Sequence, residues 1–191
     1  AVGDTALDSI ASGASNNVAI GSAAGTAVTT GTQNTLNGGL AGDAITTGTG
    51  NTAVGSSALT GTTTGTNNVA VGYVSLDVNT TGVANVAVGT GALGSNTTAS
   101  NNTAVGRNAL LANTTGDLNT AFGFGALGAN TVGDRNEAVG GNALASMNPS
   151  SNADTYNVAI GLNAGIAVTT GTENTLIGGL AGDSITSTIG N

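Results

Sequence analysis

The sequence predicts an all-β fold, a parallel β-solenoid built from 17-residue coils. Three observations predict it. Asparagine recurs at 17, 34, 51, 68, 85, 102, 119 and 136, always 17 residues apart, and resumes at 157, 174 and 191 after one four-residue insertion. Counting that Asn as position 1, position 5 is Gly in every full copy: Gly21, Gly38, Gly55, Gly72, Gly89, Gly106, Gly123, Gly140, Gly161 and Gly178. Position 4 between them is mostly Val or Ile, as in Ile20, Val54, Val71, Val88, Val105, Val139, Ile160 and Ile177. A fixed short period marks a repeat architecture whose units stack on one another.

Each part of the coil has its own reason. Positions 2 to 4 form a short run of β-branched and small residues, which suits a strand. Gly at position 5 ends it, through positive φ or because another backbone comes close. Ala and Leu at positions 8 and 9 supply a second short apolar segment. Thr-Thr-Gly at positions 13 to 15 reads as the return turn, with Gly free to turn left-handed. The density of Gly, Thr and Asn and the absence of a 3.6-residue period argue against helix. Stacked in parallel, like positions align at steps of about 4.8 Å, and eleven coils make a rod on the order of 50 Å long.

The repeat unit is clearest in Asn51, Val54 and Gly55, in Asn68, Val71 and Gly72, in Asn85, Val88 and Gly89, and in Asn102, Val105 and Gly106. A stacked Asn column lets each side-chain amide donate to and accept from its neighbours, which satisfies buried polar groups. Asn also tolerates a left-handed turn. Ala at position 3 and Val or Ile at position 4 point to opposite faces. One face fills the coil. The other is expected to meet another chain, because a thin coil of Ala and Gly buries little area.

The 191 residues read as one solenoid, with coils starting near 17, 34, 51, 68, 85, 102, 119, 136, 157 and 174. Residues 1–16 read as a first coil with one extra residue. The insertion loop spans about 146–156 and holds the only Pro and the only Met. A longer period lies on top: residues 17–50 match residues 157–190 at 25 of 34 positions. No signal peptide pattern opens at Ala1. Asn191 is the first residue of a further repeat, so the sequence reads as a segment of a longer fibrous protein.

Composition narrows the function. Ten acids face only Arg107 and Arg135, giving a net charge of −8. Nucleic acid needs clustered cations and is excluded. No run of 18 apolar residues offers a membrane-inserting span. There is no His and no Cys, which removes most Zn chemistry, thiolate ligands and the usual general bases. Ser and Thr have no His or Lys partner for nucleophilic catalysis. No enzyme activity and no cofactor are expected. Gly38-Gly39-Leu40-Ala41-Gly42-Asp43 and Gly178-Gly179-Leu180-Ala181-Gly182-Asp183 resemble Gly-rich Ca²⁺ turns, but Ca²⁺ needs more oxygen ligands than one Asp in two coils supplies.

The phrases Asn17-Val18-Ala19-Ile20-Gly21, its copy at 157–161, and Asn51-Thr52-Ala53-Val54-Gly55 resemble the YadA-like head repeats of trimeric autotransporter adhesins. Asn119-Thr120-Ala121-Phe122-Gly123-Phe124-Gly125-Ala126-Leu127 and Asn102-Thr103-Ala104-Val105-Gly106 are also similar to repeats of phage tail-fibre proteins. The period of 17 is longer than the usual coil of the adhesin heads. What the resemblance implies is a homotrimer of left-handed β-rolls, joined end to end in a fibre outside the cell or on a virion. It would attach to a host-cell surface glycan or protein.

Regular coils offer little to recognise, so the expected contact site is the insertion, with Met147, Asn148, Pro149, Asp154 and Tyr156. Loop insertions bulge from a solenoid without disturbing its stack, and Tyr offers contact area at low entropy cost. The alternative function is ice binding by a Thr ladder. Position 13 is Thr at 29, 46, 63, 80, 97, 114, 131, 169 and 186. Thr30-Gly31-Thr32, Thr47-Gly48-Thr49 and Thr64-Gly65-Thr66 supply the alternation a flat face needs, and Val83, Asp117 and Asp134 interrupt it.

Overall fold

A computed structural model describes residues 1–190. They form a parallel β-solenoid with one three-residue strand per coil from Asn17 on, a second two-residue strand in two of the coils, and no helix among the described residues. The strands are β1 (Val18–Ile20), β2 (Thr35–Asn37), β3 (Thr52–Val54), β4 (Val69–Val71), β5 (Val86–Val88), β6 (Thr103–Val105), β7 (Thr120–Phe122), β8 (Gly133–Asp134), β9 (Glu137–Val139), β10 (Ala153–Asp154), β11 (Val158–Ile160) and β12 (Thr175–Ile177). Ten of them, all but β8 and β10, make a single parallel sheet in chain order. Its register sets position 2 on position 2, 3 on 3 and 4 on 4, for example Val69 on Val86, Ala70 on Ala87 and Val71 on Val88. Parallel neighbours need a crossover between them. Here the rest of each coil is that crossover.

Side-chain alternation sorts each strand into an inward and an outward set. Position 3 is buried in all ten sheet strands, while positions 2 and 4 lie outside or half-buried. The interior is filled by position 3, by Ala or Ser at position 8, and by positions 9 and 12. Two solutions fill it. From Asn51 to Met147, position 3 is Ala and position 9 is a buried Leu: Leu59, Leu76, Leu93, Leu110, Leu127 and Leu144. In the two similar blocks, position 9 is Gly and the large residue moves to position 3, as Leu36 and Leu176. Leu36 lies across two coils. A Cβ on Gly25, in the coil before, would come 2.6 Å from Leu36 Cδ1, and one on Gly42, in its own coil, 2.7 Å from Leu36 Cδ2. Leu176 stands in the same way to Gly165 and Gly182, at 2.9 and 2.8 Å.

The backbone turns left-handed at positions 7, 9 and 17. Leu59, Leu76, Leu93, Leu110, Leu127 and Leu144 have φ between 50° and 56°. That conformation costs about 1–2 kcal/mol for a residue with a Cβ, and burying a Leu side chain returns about 1.5–3 kcal/mol. Position 5 Gly has φ between 127° and 145°, and the next coil's Gly stacks directly on it. Both reasons foreseen for that Gly therefore act together.

Two local expectations are corrected. Gly at position 15 is not left-handed, since Gly48 and Gly65 have no positive φ. It is buried, and a Cβ on Gly48 would stand 2.5 Å from Gly65 O. The repeat Asn is not left-handed either. The residue before it is, as in Asn67 (φ 58°) and Ala84 (φ 57°). The turn is thus made one residue earlier, and the Asn side chain is left free to enter the core.

Candidate functional site

The repeat asparagines form a buried ladder. Asn85 Nδ2 donates to Asn68 Oδ1 at 3.2 Å and to Ala99 O at 2.8 Å, and the Asn85 N–H donates to the same Oδ1 at 3.0 Å. Asn51, Asn68 and Asn102 are bound in the same way to the coil before and to the position 15 carbonyl of their own coil. Their role is internal and offers nothing to a ligand.

A second ladder escaped the sequence reading. Asn79, Asn96, Asn113 and Asn130 occupy position 12, all buried. Asn96 Nδ2 donates to Asn79 Oδ1 at 2.9 Å, Asn113 to Asn96 at 3.0 Å and Asn130 to Asn113 at 3.3 Å. Each also donates to a position 15 carbonyl. The signal was present, because these four are also 17 apart, but they sit beside Thr and Gly and look like turn residues.

The outward face of the long sheet is a continuous, mostly apolar surface. Val54, Val71, Val88 and Val105 point out of it, as expected. Thirteen of its twenty outward side chains are Val, Ile or Phe, and Glu137 is the only charged one. Phe122 is 55 % exposed and Ile160 41 %. Column 6 borders the face with Tyr73, Arg107, Phe124 and Leu162, and the Arg107 guanidinium lies 4.9 Å from the Phe124 ring centre.

The insertion differs from its expected form. Met147 is fully buried, which removes it from any contact loop. Eleven residues after Asn136, it falls in column 12, directly after Asn130, and accepts a long 3.9 Å contact from Asn157 Nδ2. Asn148 takes position 13. Its Oδ1 receives Thr131 Oγ1 at 2.7 Å and the Thr131 N–H at 3.3 Å, standing in for a main-chain carbonyl. Pro149 lies over Gly133. The extra residues are split. β10 pairs Ala153 with Gly133 and Asp154 with Asp134, so Thr155 is left over as a separate one-residue bulge. Its buried hydroxyl lies 2.8 Å from both Asp134 O and Asn136 Oδ1, while Asn157 continues the first ladder directly, donating its N–H and Nδ2 to Asn136 Oδ1 at 3.3 and 3.1 Å.

What the insertion leaves outside is a charged corner. Arg135 Nε meets Asp154 Oδ1 at 2.7 Å, Tyr156 Oη donates to Asp154 Oδ2 at 3.0 Å, and Arg135 stands over the Tyr156 ring at 5.8 Å. The hydrogen bond from Arg135, then that from Tyr156, holds the Asp154 carboxyl below its ordinary range. The same bond holds the Tyr156 phenol above its own. In Asp154→Asn the Tyr156 phenol is therefore expected to titrate at lower pH than in the unsubstituted chain. Absorbance titration in a Tyr73→Phe background, which removes the only other tyrosine, reads this directly.

Asp117 and Asp134, which seemed only to interrupt the Thr columns, hold the stack. Ser100 N–H donates to Asp117 Oδ1 at 2.6 Å, and Asp117 N–H to Asp134 Oδ1 at 2.7 Å. Burial pushes the Asp134 carboxyl up despite that bond, with Asp117 and Asp154 adding to the effect. Asp43 and Asp183 lie in coils far apart in the stack and cannot share a cation. Among the described residues no three carboxylates gather at one point, no cavity opens, and no helix is long and apolar enough to cross a membrane.

No family model, curated protein or solved structure matches the chain.

Proposed function

We propose that the chain is a structural and adhesive fibre segment, assembled from several copies through the outward face of the long sheet, without catalysis. The supporting observation is that face: ten strands whose outward side chains are mostly Val, Ile and Phe, with Glu137 among them and Arg107 at the border as the only charges, on a solenoid whose interior is already closed without it. Ten strands at about 4.8 Å by five residues at about 3.3 Å, from column 2 to column 6, give on the order of 800 Å². That is about what one partner contributes to a stable interface.

The occupant is a second copy of the same face. Its apolar columns repeat at the same strand spacing, so two copies set side by side can match side chain to side chain along the rod. Three copies, as the resemblance to trimeric adhesin heads implies, would close the face around a common axis. The rod then works outside the cell, on a cell or virion surface. The charged corner of Arg135, Asp154 and Tyr156 and the flanking Pro149 remain outward to meet a glycan or a protein.

Val88 is outward and half-buried, so Val88→Asp is expected to leave the coil folded and abolish association, because an unpaired charge would be buried between copies. Sedimentation at micromolar concentration should show a multimer for the original chain and a monomer for the variant, with the same circular dichroism. A folded monomer for both would overturn the reading.

A further inference from the structure

The Thr-rich side of the solenoid divides into two kinds of column. In column 13 the hydroxyls are spent on the stack: Thr29, Thr46, Thr63, Thr80, Thr97 and Thr114 each donate to the column 13 carbonyl of the next coil at 3.0–3.2 Å. In columns 14 and 16 they are not. Thr30, Thr47 and Thr64 are exposed, and Thr32, Thr49 and Thr66 half-buried, with Gly31, Gly48 and Gly65 buried between them. None of these six hydroxyls has a hydrogen-bond partner in the protein.

The main chain adds a second, independent observation. The N–H of Thr32, Thr49 and Thr66 has no acceptor in the protein. In the following coils the same N–H is taken by a side chain of the next coil: Val83 by Ser100 Oγ at 3.0 Å, Ser100 by Asp117 and Asp117 by Asp134. Main-chain donors do not stay unpaired, so at Thr32, Thr49 and Thr66 the N–H is left to solvent. Three stacked coils therefore present open donors at equivalent places, about 4.8 Å apart along the rod, with the free hydroxyls of columns 14 and 16 beside them. Charge, which would impose a hydration shell of its own, is nearly absent. From Asn17 to Leu76 the only charged side chain is Asp43, at position 10.

We infer that this face, Thr30, Thr32, Thr47, Thr49, Thr64 and Thr66, binds ice. The occupant is the ice lattice. Water held in a regular file by rigid donors and flanked by Thr methyl groups joins the lattice with little further ordering, and many weak sites act together on one rigid rod. Thr170-Gly171-Thr172 repeats the sequence, but its Thr172 N–H donates to Thr188 O at 3.1 Å and is not open in the same way. The structure moves the ice-binding candidate away from column 13, whose donors are committed, and on to columns 14 and 16.

The test is thermal hysteresis, together with incorporation of the labelled chain into a growing ice crystal. The original chain is expected to give both. Thr47→Tyr, at the centre of the patch and on the outside, should lose most of the hysteresis with an unchanged melting curve. Val88→Asp, on the sheet face, should keep the hysteresis per chain while losing self-association. Absence of hysteresis and of incorporation in the original chain would overturn the inference. So would full hysteresis in Thr47→Tyr, or a loss seen in Val88→Asp alone, which would place the ice contact on the sheet. Self-association is read separately by sedimentation, so either reading can fail while the other stands.

Discussion

Asn85→Asp is expected to unfold the middle of the solenoid at neutral pH, although it exchanges one nitrogen for one oxygen. Asn85 Nδ2 is the donor to both Asn68 Oδ1 and Ala99 O. An aspartate has no donor to replace it, and its new oxygen would face two acceptors. Burial also makes it an uncompensated charge, a class of change that costs about 3–5 kcal/mol. The sign of the pH effect follows. Burial among acceptors raises the folded-state pKa of the new carboxyl above its unfolded value. The variant therefore keeps most of its stability at low pH, where the acid is neutral and can donate, and loses it as the pH rises through the folded-state pKa. Thermal melts across a pH series check this. A variant that melts like the original chain at neutral pH would mean that the ladder contributes little.

Gly89→Ala should be as damaging and show no such pH dependence. Its φ of 131° is open only to Gly, and a Cβ would stand 2.7 Å from the carbonyl carbon and oxygen of Gly106. The obstacle is main chain in the next coil, so no side chain can swing aside. Backbone strain alone costs about 1–3 kcal/mol, and relieving the clash means parting two coils at the sheet, which breaks the strand hydrogen bonds beside them. The expected result is loss of a cooperative transition or a fall of more than about 3 kcal/mol in urea unfolding. Thr90→Ala, exposed and one residue away, should cost little and serves as the control.

The period made the coil, the sheet face and the first Asn ladder legible, because each column repeats and stacking turns a column into an environment. Inward Ala and outward Val follow from alternation alone. Other features hid for physical reasons. Leu at position 9 is left-handed, against its own backbone preference, and only the closed interior makes that worthwhile. Asn79, Asn96, Asn113 and Asn130 sit beside Thr and Gly, so composition pointed to a turn where geometry makes a core. Met147 belongs to the insertion by sequence and to column 12 by count. Thr155 is an extra residue whose side chain joins the ladder at Asn136 Oδ1, which no periodicity reveals. Of the expected contact residues, Asp154, Tyr156 and Pro149 lie at the surface, Asn148 is tied to Thr131 and Met147 is inside.

The two ways of filling the interior also set a rule for how such a rod can grow. Leu36 needs Gly25 in the coil before it and Gly42 in its own. A lone copy of its coil, placed after one with Leu at position 9, would drive two leucines into the same space. Coils of the Ala-and-Leu kind are interchangeable singly. A Leu-and-Gly coil travels with the Ala-and-Gly coil before it. The segment that recurs in this sequence, residues 17–50 and again 157–190, is one such pair and ends where the pair ends. Duplication or exchange cut between the two coils of such a pair would leave a product that cannot close its own interior, so the packing of one side chain determines which recombinants fold.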